Sequence, residues 1–105
     1  MARIDGHHQT LLADLPHRNP DALLLEPRSR LDKAVVALSN TPDDHWREVR
    51  PEGTWVAVYK GESLVQILMA QGVTYSQAIE WVATEMESAW VGPGTWVVEW
   101  DPADA

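Results

Sequence analysis

The stretch from Thr74 to Met86 narrows what this chain can fold into more than any other, because three independent signals agree along it. Thr74, with Gln77 three residues later, has the form of a capping box, in which hydroxyl and amide each satisfy an orphan donor at a helix start. Ile79, Val82, Ala83 and Met86 then fall at i, i+3, i+4 and i+7, one core-facing stripe at helical spacing. Gly72 stands just ahead, placed to end a preceding helix in left-handed backbone, with Val73 packing behind it. That preceding helix has a capping-box pattern of its own, Ser63 with Gln66, and a stripe of Leu64, Ile67 and Leu68 widened by Val65 and Met69. Trp90 to Gly94 ends the main helix, and Pro93-Gly94 fits the central positions of a type II turn.

Strand-like runs surround this helical unit. In Thr54–Tyr59 both faces are apolar, and in Thr95–Trp100 the residues Trp96, Val98 and Trp100 share one face opposite Val97 and Glu99. Lys33–Ser39 is almost continuously apolar and is stopped by Asn40-Thr41-Pro42, which predicts a central strand. Asp21–Pro27 reads as a brief strand or a segment docked on the core. Residues 1–20 read as a weakly ordered N-terminal arm, in which Leu11, Leu12 and Leu15 line a short helix cut off by Pro16 and Pro20. The expected fold is a single α+β domain over residues 21–105, closed by the short acidic tail Asp101–Ala105. It has a three- or four-stranded sheet and two consecutive helices on one face, in the order β-β-α-α-β, with the first two strands antiparallel.

Length and composition agree with one small core. A chain of 105 residues makes one domain, and with six Trp and no Phe its aromatic bulk comes from Trp and Tyr. The absence of cysteine excludes disulfides and thiolate metal sites. No apolar run approaches the roughly 18 residues of a membrane span, and Met1 to His8 has no secretory h-region, so a cytoplasmic protein is expected. The net charge of −8 is unevenly spread: residues 1–60 hold all eight cations and nine acids, whereas residues 61–105 hold seven acids and no Lys or Arg. A half without cations cannot grip phosphates, so direct nucleic-acid binding by residues 61–105 is not expected. It is suited to a basic protein surface, or simply to solubility.

Few residues invite chemistry. His7, His8 and His17 have no further ligand at convincing spacing, so no metal is expected and these histidines read as exposed. His45 beside Asp43 and Asp44 resembles an acid–base pair, yet no nucleophile stands near in the pattern, and a solvated loop with Trp46 tucked on the sheet explains the stretch. Gly92-Pro93-Gly94 lacks the Lys and Ser/Thr of a phosphate loop. Glu80 and Glu87, two turns apart, read as a solvated stripe. No catalytic residue and no cofactor are expected. Trp81 is different: it falls about 200 degrees from Ile79, on the outer face of the main helix, among Gln77, Glu85 and Ser88. Such a Trp is either covered by the N-terminal arm or a second copy, or it contacts a partner.

Three segments together resemble a family of small proteins from bacteriophages, prophages and other mobile elements. They are Glu26-Pro27-Arg28 with Leu31–Val36, Val58-Tyr59 with Leu64–Met69, and Gly72-Val73-Thr74 with Gln77–Trp81, closing at Ala89-Trp90-Val91-Gly92. The resemblance spans roughly residues 26–96. Lys60 stands where that family usually has an acidic residue, and Thr84–Ser88 lacks its usual aromatic-then-Asn pair. It implies a mobile-element accessory protein and carries no chemistry. The expected function is a non-catalytic protein-interaction module that modulates a host protein through an acidic surface at Trp81, Glu80, Glu85 and Glu87. The alternatives are a structural homo-oligomer, joined at Trp81 or the last strand, and a small hydrolase using His45 with Asp43 or Asp44.

Overall fold

The computed structural model describes residues 2–42 and 46–100. In chain order these form β1 (Arg3–Asp5), α1 (His8–Arg18), α2 (Arg28–Leu31), a 3-10 turn (Asp32–Ala34), β2 (Val35–Ser39), β3 (Val56–Lys60), α3 (Gly61–Met69), α4 (Tyr75–Trp81), a π-helical turn (Val82–Glu87) and β4 (Val97–Glu99). The fold is α+β, with a mixed four-stranded sheet in the order β1-β2-β3-β4 and four α-helices among the described residues. The β-branched run of β2 is central, antiparallel to β1 (Ile4 opposite Leu38) and to β3 (Leu38 opposite Ala57). β3 and β4 pair in parallel, with Tyr59 opposite Val98. Parallel neighbours need a long crossover, and α3, α4 and the π turn supply it.

Residues 1–20 depart from the expected loose arm. Their first part is an edge strand on β2, and Leu11 and Leu15 of α1 lie in the same core cluster as Leu38, Ala57 and Tyr59. α1 also runs through Pro16 to Arg18 and begins where the His7 Nδ1 accepts the Gln9 N–H at 3.2 Å. Three strand residues with a charged residue at either end carry almost no pattern, so only the neighbouring strand reveals them. The segment 22–25 forms no strand; it docks through backbone, the Leu23 N–H donating to the Gly94 carbonyl (2.9 Å) and the Leu25 N–H to the Tyr59 hydroxyl (2.8 Å).

The helix signals divide. The Thr74/Gln77 capping box is formed, at 3.0 and 3.2 Å, and Gly72 has φ of 104° in the turn after α3. The Ser63/Gln66 box is not formed, because α3 starts three residues earlier, straight from the end of β3 with Lys60 as its cap. The reason lies at Gly61: a Cβ there would meet the Trp100 indole at 2.6 Å, so the absence of a side chain lets the chain turn beneath that ring. The turn at Gly92–Thr95 closes with the Thr95 N–H on the Gly92 carbonyl (3.0 Å), but Gly94 lacks the positive φ of a type II turn. Gly94 is required instead by space, since a Cβ would lie 2.5 Å from the Asp21 carbonyl. Arg50 closes the same corner from below, its Nη1 donating to the Pro93 carbonyl and to that of Thr95 (2.9 Å), with its guanidinium 5.1 Å from the Trp90 ring.

Tyr59 ties these parts together. It is fully buried, and burial raises its hydroxyl well above the ordinary phenol value. The unfolded chain therefore loses this proton at lower pH than the folded one, so stability from the neutral, buried phenol is complete below about pH 10 and falls above it. Tyr59→Phe is expected to cost about 1–3 kcal/mol at neutral pH by orphaning the Leu25 amide, and to shrink the alkaline loss. Urea titrations of both proteins at neutral and strongly alkaline pH measure this. Gly61→Ala is expected to destabilise by about 1–3 kcal/mol through its clash with Trp100, read as a lowered Tm.

Candidate functional site

The main helix presents two faces. Inward, Ala78, Val82 and Met86 are buried, with Ile79 and Ala83 half-buried beside them. After Trp81 the backbone switches from α to π over Val82–Glu87, where a regular helix to Met86 was expected. Side-chain donors occupy carbonyls along this switch: Thr84 Oγ1 donates to Glu80 O (2.7 Å), Ser88 Oγ to Ala83 O (2.8 Å) and Trp96 Nε1 to Met86 O (2.8 Å). Such competition favours a widened turn over the ordinary ladder.

Outward, Gln77, Glu80, Trp81, Thr84 and Glu85 form a stripe at i, i+3, i+4, i+7 and i+8. With Leu68 from the end of α3 and Val73 from the turn after Gly72, this stripe lines a groove of about 500 Å³. Trp81 is 55% exposed there, whereas the other five indoles are half-buried. All five have partners that explain their place: Trp55 lies under the Arg18 guanidinium (4.5 Å), Trp46 and Trp90 pack together (5.2 Å), and the Trp96 and Trp100 indole N–H groups donate to the Met86 carbonyl and the Glu87 carboxylate. The described residues of the N-terminal segment do not cover Trp81, since α1 packs on β2, β3 and the 3-10 turn.

The groove's polar groups divide into committed and available. The Gln77 Oε1 accepts the Thr74 N–H at the helix cap, and the Thr84 hydroxyl donates to the Glu80 carbonyl. The carboxylates of Glu80 and Glu85 make no ion pair among the described residues. What remains is an apolar floor with one indole and two unpaired negative charges. Such a surface can seat an apolar side chain against Trp81, hold a cation over its ring, and pair cations with the flanking carboxylates. It holds no cysteine, serine or histidine nucleophile.

Of the four residues singled out from the sequence, Trp81, Glu80 and Glu85 meet in the groove. Glu87 does not: it accepts the Trp100 indole N–H at 2.9 Å and so braces β4 against the crossover. Leu68 and Val73 are the additions. Leu68 looked like part of the core stripe of α3, but that stripe is too broad to be wholly buried: Leu64 and Val65 take the core, leaving Leu68 half-buried at the groove. Asp43, Asp44 and His45 lie outside the described residues, as does the tail Asp101–Ala105. Among the described residues no group of three His, Cys, Asp or Glu could hold a metal ion, and no helix is long and apolar enough to cross a membrane. Comparison with family models, with curated proteins and with solved structures finds no match for this chain.

The two faces of the helix predict opposite mutational costs. Trp81→Ala is expected to lower stability by about 1 kcal/mol, since the ring is largely in solvent. Met86→Ala, five residues on, is expected to cost about 2–5 kcal/mol by opening the core. Chemical denaturation of the two variants beside the parent checks the contrast.

Proposed function

We propose that this protein is a non-catalytic interaction module that binds a basic surface of another protein through the groove at Trp81. The observation that carries the reading is the exposed indole set between two carboxylates that have no ion-pair partner among the described residues. Large aromatic side chains left in solvent beside apolar neighbours mark contact surfaces, and Trp heads the residues that dominate binding energy. From residue 61 onward the chain has no Lys or Arg, so the two helices that form the groove contribute negative charge and no cation of their own. A small acidic protein that occupies a basic surface of a host factor modulates it by exclusion. That role fits the cytoplasmic setting of a phage or mobile-element accessory protein, which we assign to it.

A second reading, a structural homo-oligomer, draws on β4, which stands at the edge of the sheet with β3 as its neighbour. Joining two copies across the Trp81 groove is electrostatically poor, because a two-fold axis would set Glu80 and Glu85 against their own copies. Light scattering at high concentration separates the readings: a monomer is expected.

Affinity capture with the parent protein, Trp81→Ala and the double variant Glu80→Gln/Glu85→Gln as baits, at low and high salt, tests the interaction. The expected outcome is a partner whose capture falls with salt, is lost with Trp81→Ala and is weakened by the double variant. Capture indifferent to Trp81 overturns the reading.

A further inference from the structure

We propose that the groove's occupant is a short basic amphipathic α-helix of the partner, about two turns long. It sets an apolar side chain on Trp81, Leu68 and Val73, and directs Lys or Arg at Glu80 and Glu85. This rests on the reading of the groove as the binding surface.

Four observations select this occupant. The first is the groove's construction: one wall is the outer stripe of α4 and the π turn, and the other is the end of α3 with Val73. A surface made of side chains at i, i+3, i+4 and i+7 presents ridges that accept a third helix. The second is the lack of exposed strand in the groove. An extended peptide docks by pairing its backbone with a sheet edge, and both edges, β1 and β4, lie outside the residues lining this groove. A helix needs no such help, because its backbone bonds are internal.

The third is size. From Gln77 to Glu85 the stripe advances eight residues, about 12 Å at helical rise, which matches two turns of a packed helix. The fourth is charge: Glu80 sits beside Trp81 and Glu85 one turn further along, while the Gln77 Oε1 and the Thr84 hydroxyl are already bonded to backbone. A single indole with an aliphatic floor also differs from the multi-ring cages that hold lone quaternary ammonium groups. The chemistry therefore asks for an apolar anchor flanked by cations on one rigid element.

A displayed library of random peptides of about 15 residues, long enough for a few turns, selected against the full chain, tests this. Selected peptides are expected to carry apolar residues at i and i+3 or i+4 with flanking Lys or Arg, and to gain helical circular dichroism on binding. Affinity is expected to fall at least tenfold with Trp81→Ala, and several-fold with Glu85→Lys in a manner that shrinks at high salt. Both positions are exposed, and unchanged far-ultraviolet dichroism of the variants shows that they still fold. Trp81-dependent peptides that stay extended overturn the helical occupant while leaving the groove as the binding surface. Absence of any Trp81-dependent peptide overturns both, and so does self-association that Trp81→Ala abolishes.

Discussion

The parallel pairing of β3 with β4 is the constraint on which the rest of this molecule depends. Tyr59 can lie opposite Val98 only if the chain returns to the start of the strand direction, and thirty-odd residues make that journey over one face of the sheet. The journey is made in two helices rather than one, because Gly72 breaks the crossover and Thr74 restarts it. The first helix can then begin where β3 ends only because Gly61 leaves room for the Trp100 indole, which follows β4. The Trp100 ring thus packs on the start of the crossover, and its indole N–H donates to Glu87 at the end of the π turn.

A crossover attached in this way has little freedom at its surface. Ala78, Val82 and Met86 fill the core, so the side chains opposite them are turned outward whatever their polarity. Trp81 is one of these, and its position in solvent comes from the burial of its neighbours on the inner face. The π turn begins at the next residue, drawn wide by hydroxyl and indole donors on its carbonyls, and it keeps Met86 in the core while carrying Glu85 to the groove. The result is a negative, partly apolar groove with helical walls.

Particular residues show how far the sequence could be read. Thr74 with Gln77, and Gly72 before them, act through bonds within a few residues, so their pattern and their structure coincide. The Ser63/Gln66 pair has the same pattern but a different outcome, because the packing of Trp100 on Gly61 starts the helix earlier than local capping would. Arg3–Asp5 could not be recognised as a strand, since its partner lies at residues 37–39 and three residues hold no period of their own. The type II turn failed for a related reason: Gly94 is demanded by the backbone of Asp21, remote in sequence. At the groove, helical arithmetic on its own placed Trp81, Glu80 and Glu85 outward. Leu68 and Val73 entered only once the two helices were set side by side, and Glu87 left when Trp100 reached it.

What the sequence determined alone was therefore what depends on short-range periodicity: the two consecutive helices, the break between them, a buried strand within Lys33–Ser39 (its first two residues belong to the 3-10 turn), the inner and outer faces of the main helix, and a C-terminal half without a cation. The tertiary structure decided the rest: the N-terminal strand and helix as part of the sheet and core, the parallel last strand, the widened turn after Trp81, and the second wall of its groove. The strand pairings among them join residues tens of positions apart, the widened turn and the groove wall residues four to thirteen apart, and in each case the energy comes from contacts that no local repeat encodes. A side chain's face follows from its own helix; what it faces follows only from the packing of the whole chain.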